Sequence, residues 1–290
     1  MAAPHEFDPG PVDEPFRSLA ADYPGAETYP PTEFRIEWGP VFHRGRLDGS
    51  ARILLVGQDP GQHESIARRC MVGEAGQRAQ GFLTKLGIAE RYVIVNAFLY
   101  SVYGQPRPHE VAQLLERTAA YRHRWLEALV AGGEVRAVVA FGDVAQKAFE
   151  EWLGPPGSER VHVAYEPLHH PTYPEGASRH DPSRKPQLTR ELLHQWNDAL
   201  QRLDPVVGER GPGQVLPLYG EELRPEDRTQ IPERDLPAGT PAWMRSLRTW
   251  ASREDLLPRD KSDEEKAEAK RATVVVRIPR AERSWPPLDA

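Results

Sequence analysis

At 290 residues, 39% of them hydrophobic and 29 of them proline, the chain is long enough for one sizeable domain but too proline-rich to be compact throughout. A net charge of −6 offers no global basic field for nucleic acid, and one cysteine, Cys70, excludes an intrachain disulfide, a four-cysteine zinc site and a four-cysteine iron–sulfur cluster. No run nears the about 18 apolar residues of a membrane span, and the N-terminus lacks a basic-then-apolar signal, so the expectation is a soluble, cytoplasmic protein with no membrane partner.

Residues 1–50 hold eight prolines between Pro4 and Pro40, which favours extended and turn structure. Phe34, Ile36, Trp38, Val41 and Phe42 within them suggest a cover laid over a core. Residues 52–56 read as a strand buried on both faces, because Ile53-Leu-Leu-Val56 does not alternate with polar residues. A polar loop through Arg69 follows, and then a helix over 76–88 with Ala79, Phe82, Leu83 and Leu86 at helical spacing and Gly87 near its end.

Residues 92–99 are a second strand-like run, broken by one polar residue, Asn96. A long helix is expected from Glu110 to about Ala131, a third strand over 135–141, and a helix from Asp143, placed as its N-cap, through Trp152. Trp125 and Trp152 fall on apolar helix faces and read as core. A fourth strand is expected at 161–165 and a closing amphipathic helix at 187–203.

This β-α repetition predicts a three-layer αβα sandwich around a four-stranded parallel sheet, with residues 1–50 as cover and 51–203 as the domain. Parallel strands put Asp59, Asn96, Gly142 and His169/His170 on one edge, the carboxyl edge where open α/β sheets bind ligands. Residues 204–290 are rich in Pro, Gly and charge. They read as a linker or extended wrap, with a short helix at 243–250, a charged helix at 260–271 and a strand at 274–278 docking at a sheet edge or left exposed.

Alone, Gly57-Gln-Asp-Pro-Gly61 could be a βα turn whose Asp caps the next segment, and Asn96 could bond a neighbouring loop. Adjacent His169 and His170 raise the question of a metal, but no third ligand is evident, so no metal and no cofactor are expected. Together, Gly57-Gln-Asp-Pro60, Asn96 and His170-Pro-Thr172 resemble the uracil-DNA glycosylase superfamily. Met71-Val-Gly-Glu-Ala-Gly76 and Val138-Val-Ala-Phe-Gly-Asp-Val-Ala145 are similar to two further segments of its thermostable, cluster-bearing branches. The resemblance covers about residues 50–203.

It implies a monomeric DNA glycosylase of base excision repair that hydrolyses the bond between deoxyribose and uracil, or a related deaminated base, after flipping it from the stack. Cleavage builds positive charge on the sugar and negative charge on the departing base. The resemblance assigns Asp59 to the former and to the attacking water, and His170 to the latter. It gives base reading to Asn96, whose amide carries a donor and an acceptor, with Gln58 and Met71 completing the pocket. Tyr173 stands where the family inserts a wedge into the duplex, and Arg179, Arg184 and Lys185 follow as phosphate contacts, or as a solvated loop.

The departures are equally specific. Gln58 occupies a position where the cluster-bearing branches have Glu, and an amide cannot act as a base. Gly61 stands where another branch has a Tyr that blocks thymine. Met71 replaces a stacking Phe, and His63 and Glu64 lie close enough in the loop to be rival bases. A non-enzymatic nucleic-acid or nucleotide-binding protein of the same fold, or a hydrolase of another nucleoside-like substrate, are the alternatives.

Overall fold

In the computed structural model the described residues are 8–103, 108–130, 133–157, 159–253 and 274–278. Their centre is a five-stranded sheet of order β1-β3-β2-β4-β5, formed by β1 (Arg44–Gly45), β2 (Ile53–Gly57), β3 (Tyr92–Asn96), β4 (Ala137–Phe141) and β5 (Ala164–Leu168). Strands β3, β2, β4 and β5 are mutually parallel, and β1 adds a short antiparallel edge to β3. The expected four-stranded parallel sheet is therefore present, with one edge strand supplied by the proline-rich cover.

Side chains alternate across a strand, so each parallel strand feeds two cores. Leu54, Val56, Val93, Val95, Val138 and Ala140 point into one, which contains helices α1 (Phe16–Ala21), α4 (Pro108–Val130) and α5 (Asp143–Leu153). Ile53, Leu55, Tyr92, Ile94, Val139 and Phe141 point into the other, against α3 (Glu74–Lys85) and α7 (Lys185–Val207). Three layers result, and every position of β2 and β4 is buried. Trp125 and Trp152 lie in the first core.

Several boundaries differ from expectation for physical reasons. The fourth strand lies at 164–168 rather than 161–165. As an edge strand it tolerates Pro167, and it buries Glu166, whose carboxylate takes two 2.7 Å hydrogen bonds from Arg202. The second strand stops at Asn96 because the chain then crosses to the β2 turn: Ala97 N–H bonds the Gly57 carbonyl and Phe98 N–H the Gln58 carbonyl, each at 2.9 Å. Gly142, at φ +86°, takes the N-cap position expected of Asp143, which becomes the first residue of α5.

The polar loop after Pro60 contains a short helix, α2 (Gln62–Ala67), that the sequence reading did not anticipate. Beyond Val207 the chain wraps back across α3 and β1. The helix expected at 243–250 is a single 3-10 turn at Ala242–Arg245. The segment expected to be a strand at 274–278 pairs as β7 (Val274–Val276) with β6 (Ala251–Arg253) in a separate two-stranded sheet, not at the edge of the main one. The charged helix expected at 260–271 lies outside the described residues.

Candidate active site

Four parallel strands end on the same edge, and their order places the candidate residues. Register pairs Gly57 of β2 with Asn96 of β3. An added Cβ on Gly57 would stand 2.4 Å from Asn96 Oδ1 and 3.5 Å from Met71 Sδ, so Asn96, Met71 and the start of the Gln58–Asp59 turn form one contact group. Asn96 Nδ2 is buried and, among the described residues, has no hydrogen-bond partner. Unsatisfied buried donors cost about 1–3 kcal/mol and are rare without a reason.

Asp59 is half-buried and held at both oxygens. Oδ1 accepts from Gln58 Nε2 at 3.0 Å and Oδ2 from the Val102 N–H at 2.9 Å. Gln58, in the place of a carboxylate, thus orients one. Met71 has a left-handed backbone, φ +50°, and its carbonyl lies where a Cβ on Gly76 would have to go, 1.6 Å away. Glycine at 76 lets α3 begin against the Met71 turn.

Across β4 lies the His170 loop. Gly142 follows the last residue of β4, and an added Cβ there would meet His170 Cβ at 3.3 Å. With β4 between β2 and β5, Asp59 and His170 follow strands separated by two strand spacings, about 9–10 Å, over a residue without a side chain. His170 Nδ1 accepts from the Thr172 N–H at 3.2 Å and lies 3.0 Å from Thr172 Oγ1. Because Nδ1 accepts the backbone hydrogen, the neutral ring carries its own proton on Nε2. Burial pushes the imidazole down to about 4, Arg78 pushes it the same way, and Glu64 and Glu175 oppose them.

His63 and Glu64 occupy α2 beside this edge. Glu64 Oε1 accepts from Val72 N–H at 2.8 Å and Gly73 N–H at 2.9 Å, and Oε2 accepts from Gly61 N–H at 3.0 Å. Both oxygens thereby brace the loop. His63 Nε2 accepts from the Ala251 N–H at 3.2 Å, and its ring meets Trp250 edge-on at 4.7 Å. Burial lowers its pKa, against Glu64 and Glu74. A Cβ on Gly61 would stand 2.9 Å from Glu64 Oε2, so the brace itself disfavours a larger residue there.

Tyr173 opens α6 (Tyr173–Ala177), half-buried and stacked on His169 with ring centroids 4.2 Å apart. Arg179 and Arg184 are exposed, and Lys185, at the start of α7, pairs with Glu175 at 3.2 Å. Sequence reasoning missed Arg78. Its signal was available: a charge at helical spacing with Ala75, Ala79 and Phe82 on the apolar face of α3. Gly142 was noted as a strand end, and its lack of a side chain beside His170 was not.

A family model described as the uracil DNA glycosylase superfamily matches residues 44–197. The chain belongs to that superfamily. Its match begins at β1 and ends within α7, so the superfamily domain takes in the first edge strand and leaves the C-terminal wrap outside. Among curated proteins no match is found. Superfamily membership points to glycosylase-type hydrolysis, DNA repair and DNA as partner. Among the described residues no helix is long and apolar enough to cross a membrane, and no group of three His, Cys, Asp or Glu side chains is placed to hold a metal. Cys70, the chain's one cysteine, is buried and free, so the cluster of the iron–sulfur-bearing branches has no ligand set here.

Proposed function

We propose that this protein is a DNA glycosylase that hydrolyses the N-glycosidic bond of uracil, or of a related deaminated base, in base excision repair. The observation that carries the reading is that Asp59, Asn96 and His170 all lie at the carboxyl edge of one parallel sheet, with Gly142, which has no side chain, following the strand between β2 and β5 and packed against His170.

The chemistry follows from the groups. As the bond from C1′ to the base nitrogen breaks, its electron pair leaves with the base and the sugar becomes cation-like. Asp59, oriented by Gln58 and Val102, supplies a carboxylate to stabilise that cation and to align the water whose oxygen bonds C1′ as one of its protons passes to the carboxylate. His170, neutral with its proton on Nε2, donates to the carbonyl oxygen of the departing base. A donor already neutral at physiological pH supports an anion without delivering a proton early. The orphaned Asn96 Nδ2 would find its acceptor in a base carbonyl. Uracil presents O4 there and cytosine an amino group, so the same donor favours the deaminated base.

The base leaves the helix to reach this edge, and the protein acts as a monomer in the cytoplasm; its buried free thiol suits a reducing compartment. No bulky side chain at Gly61 guards the 5-position, so thymine opposite guanine belongs in the substrate panel.

The test is incubation with uracil-containing single- and double-stranded oligonucleotides followed by alkaline scission at abasic sites. Cleavage is expected, reduced by about 10³-fold or more in Asp59→Asn with binding retained. No scission of any deaminated base at enzyme excess, with uracil-DNA binding intact, would select a binding protein instead.

A further inference from the structure

Arg78 is 4% exposed, yet it sits on α3 with its guanidinium directed at the His170 loop. Nη1 donates to the Pro171 carbonyl at 2.6 Å and to Glu175 Oε2 at 3.1 Å, and Nη2 donates to Glu175 Oε1 at 3.0 Å and Glu74 Oε1 at 2.6 Å. One planar group therefore ties α3 to the residue after His170 and to α6, which follows the loop. The paired bonds to Glu175 are the fork geometry that Arg provides and Lys does not. A second set of bonds holds the other end of the loop: His169 N–H donates to Gln195 Oε1 and Gln146 Nε2 donates to the Leu168 carbonyl. Those partners are neutral; Arg78 is the charged one.

We propose that Arg78 is the positioning residue for His170, holding the Pro171 carbonyl and Glu175 so that the imidazole stays a neutral Nε2–H donor toward the reacting base. The inference rests on the glycosylase reading for what His170 does, and not for how Arg78 holds it. The charged groups acting on the ring are Arg78 from α3, Glu64 from α2 and Glu175 from α6, with Lys185 of α7 paired to Glu175. Arg78 disfavours a second proton, and the two carboxylates favour it. Protonation would place a hydrogen on Nδ1, where it would confront the Thr172 N–H and break the bond that fixes the ring.

Imidazole nitrogen–proton correlation spectra of the full chain, with His170 assigned by its loss in His170→Gln, read this directly. In the unaltered protein His170 is expected as one tautomer, protonated on Nε2, across pH 5–8, in keeping with its lowering to about 4. Arg78→Met, which keeps bulk and removes charge, should raise its titration midpoint by about one unit or more and mix the tautomers. The same variant should lower kcat roughly 10–100-fold with KM within a few-fold, and lose more at pH 5.5 than at pH 8.

Arg78→Lys separates charge from geometry: the midpoint should remain near that of the unaltered protein while the tautomer mixes and the rate falls. A folded Arg78→Met protein whose His170 midpoint and tautomer are unchanged overturns the proposal. Should Arg78→Met fail to fold, an Arg78→Lys protein matching the parent in tautomer and rate overturns it as well. If uracil excision is absent altogether while the spectral shifts occur, the glycosylase reading fails and the positioning role stands.

Discussion

Below pH 6.5 an ordinary imidazole takes a proton, whereas His170 in the folded protein resists until about 4. Between those values the unfolded chain binds a proton that the native state does not, so stability falls as pH drops through this window and is unaffected above it. The gap corresponds to roughly 2–3 kcal/mol lost by pH 4.5 relative to pH 7.5. Urea melts at the two pH values should show His170→Gln losing less stability than its parent by about that amount. Parallel losses would mean that His170 titrates normally. Glycines set the geometry around it in two different ways. Gly57→Ala clashes with the end of the Asn96 side chain, which can swing aside, and meets Met71 Sδ only at ordinary contact distance. On the proposed glycosylase reading it should cost less than about 1.5 kcal/mol yet lower uracil excision on the order of 10²-fold by displacing the amide proposed to read the base. Gly76→Ala meets the Met71 carbonyl, a backbone atom, at 1.6 Å and should cost about 1–3 kcal/mol or more. Melts and excision rates on the two variants separate the effects: a stable, fully active Gly57→Ala protein would remove Asn96 from base recognition.

At the scale of elements, what the sequence revealed tracks how each element is buried. Strands β2 and β4 were legible because burial on both faces demands an unbroken apolar run, and α3, α4 and α7 because one buried face repeats at helical spacing. Strand β5 was misplaced because an edge strand needs neither rule. Helix α2 was invisible because Glu64 organises it by accepting backbone hydrogens, and only Ile66 and Ala67 in it are apolar. The order of the strands put Asp59, Asn96 and His170 on one edge, and only the family resemblance gave them roles. Arg78 was legible only as a charge on the buried face of α3; its partners Pro171 and Glu175, about a hundred residues away, were not.

The C-terminal wrap was illegible for a related reason: it docks through scattered single side chains, apolar ones such as Ile231, Leu236 and Trp250 against Ala67 and Val72, and isolated polar ones, with no period to read. Gln77 Nε2 bonds the Ser246 carbonyl at 2.9 Å, and Asp235, 2% exposed, pairs with the fully buried Arg44 at 3.0 Å and accepts from the Tyr92 hydroxyl. Arg44 also donates to the Cys70 carbonyl and to Gln80, so one guanidinium joins β1, the Met71 loop, α3 and the wrap. Asp235→Ala should therefore cost about 3–5 kcal/mol by stranding a buried charge. The double change Arg44→Met with Asp235→Leu should recover most of that loss, since an apolar pair of similar volume is often neutral or better. Denaturant melts of Arg44→Met, Asp235→Leu and the double complete the cycle, and an Asp235→Ala change costing under about 1 kcal/mol would show the wrap to be loosely held.

For the whole molecule the question is how a chain of net charge −6 approaches a polyanion. Several arginines are committed inside the fold: Arg44 to Asp235, Arg69 to Asp8, Arg78 to Glu74 and Glu175, and Arg122 to Glu151. Beside the His170 loop, Arg179 and Arg184 are exposed and carry no ion pair among the described residues, and Lys185 is shared with Glu175. DNA binding should thus depend on few phosphate contacts and respond weakly to salt. Each phosphate neutralised contributes a slope of about −0.9 in log affinity against log salt for duplex DNA. With Asp59→Asn as background to prevent turnover, removing both guanidinium groups in Arg179→Ala/Arg184→Ala should flatten that slope by about 2 and weaken binding similarly for uracil-containing and normal duplexes. Fluorescence anisotropy at several salt concentrations measures both quantities. An unchanged slope would place the phosphate-binding surface elsewhere, and a loss confined to uracil-containing DNA would mean that these arginines act on the base pocket and not on the backbone.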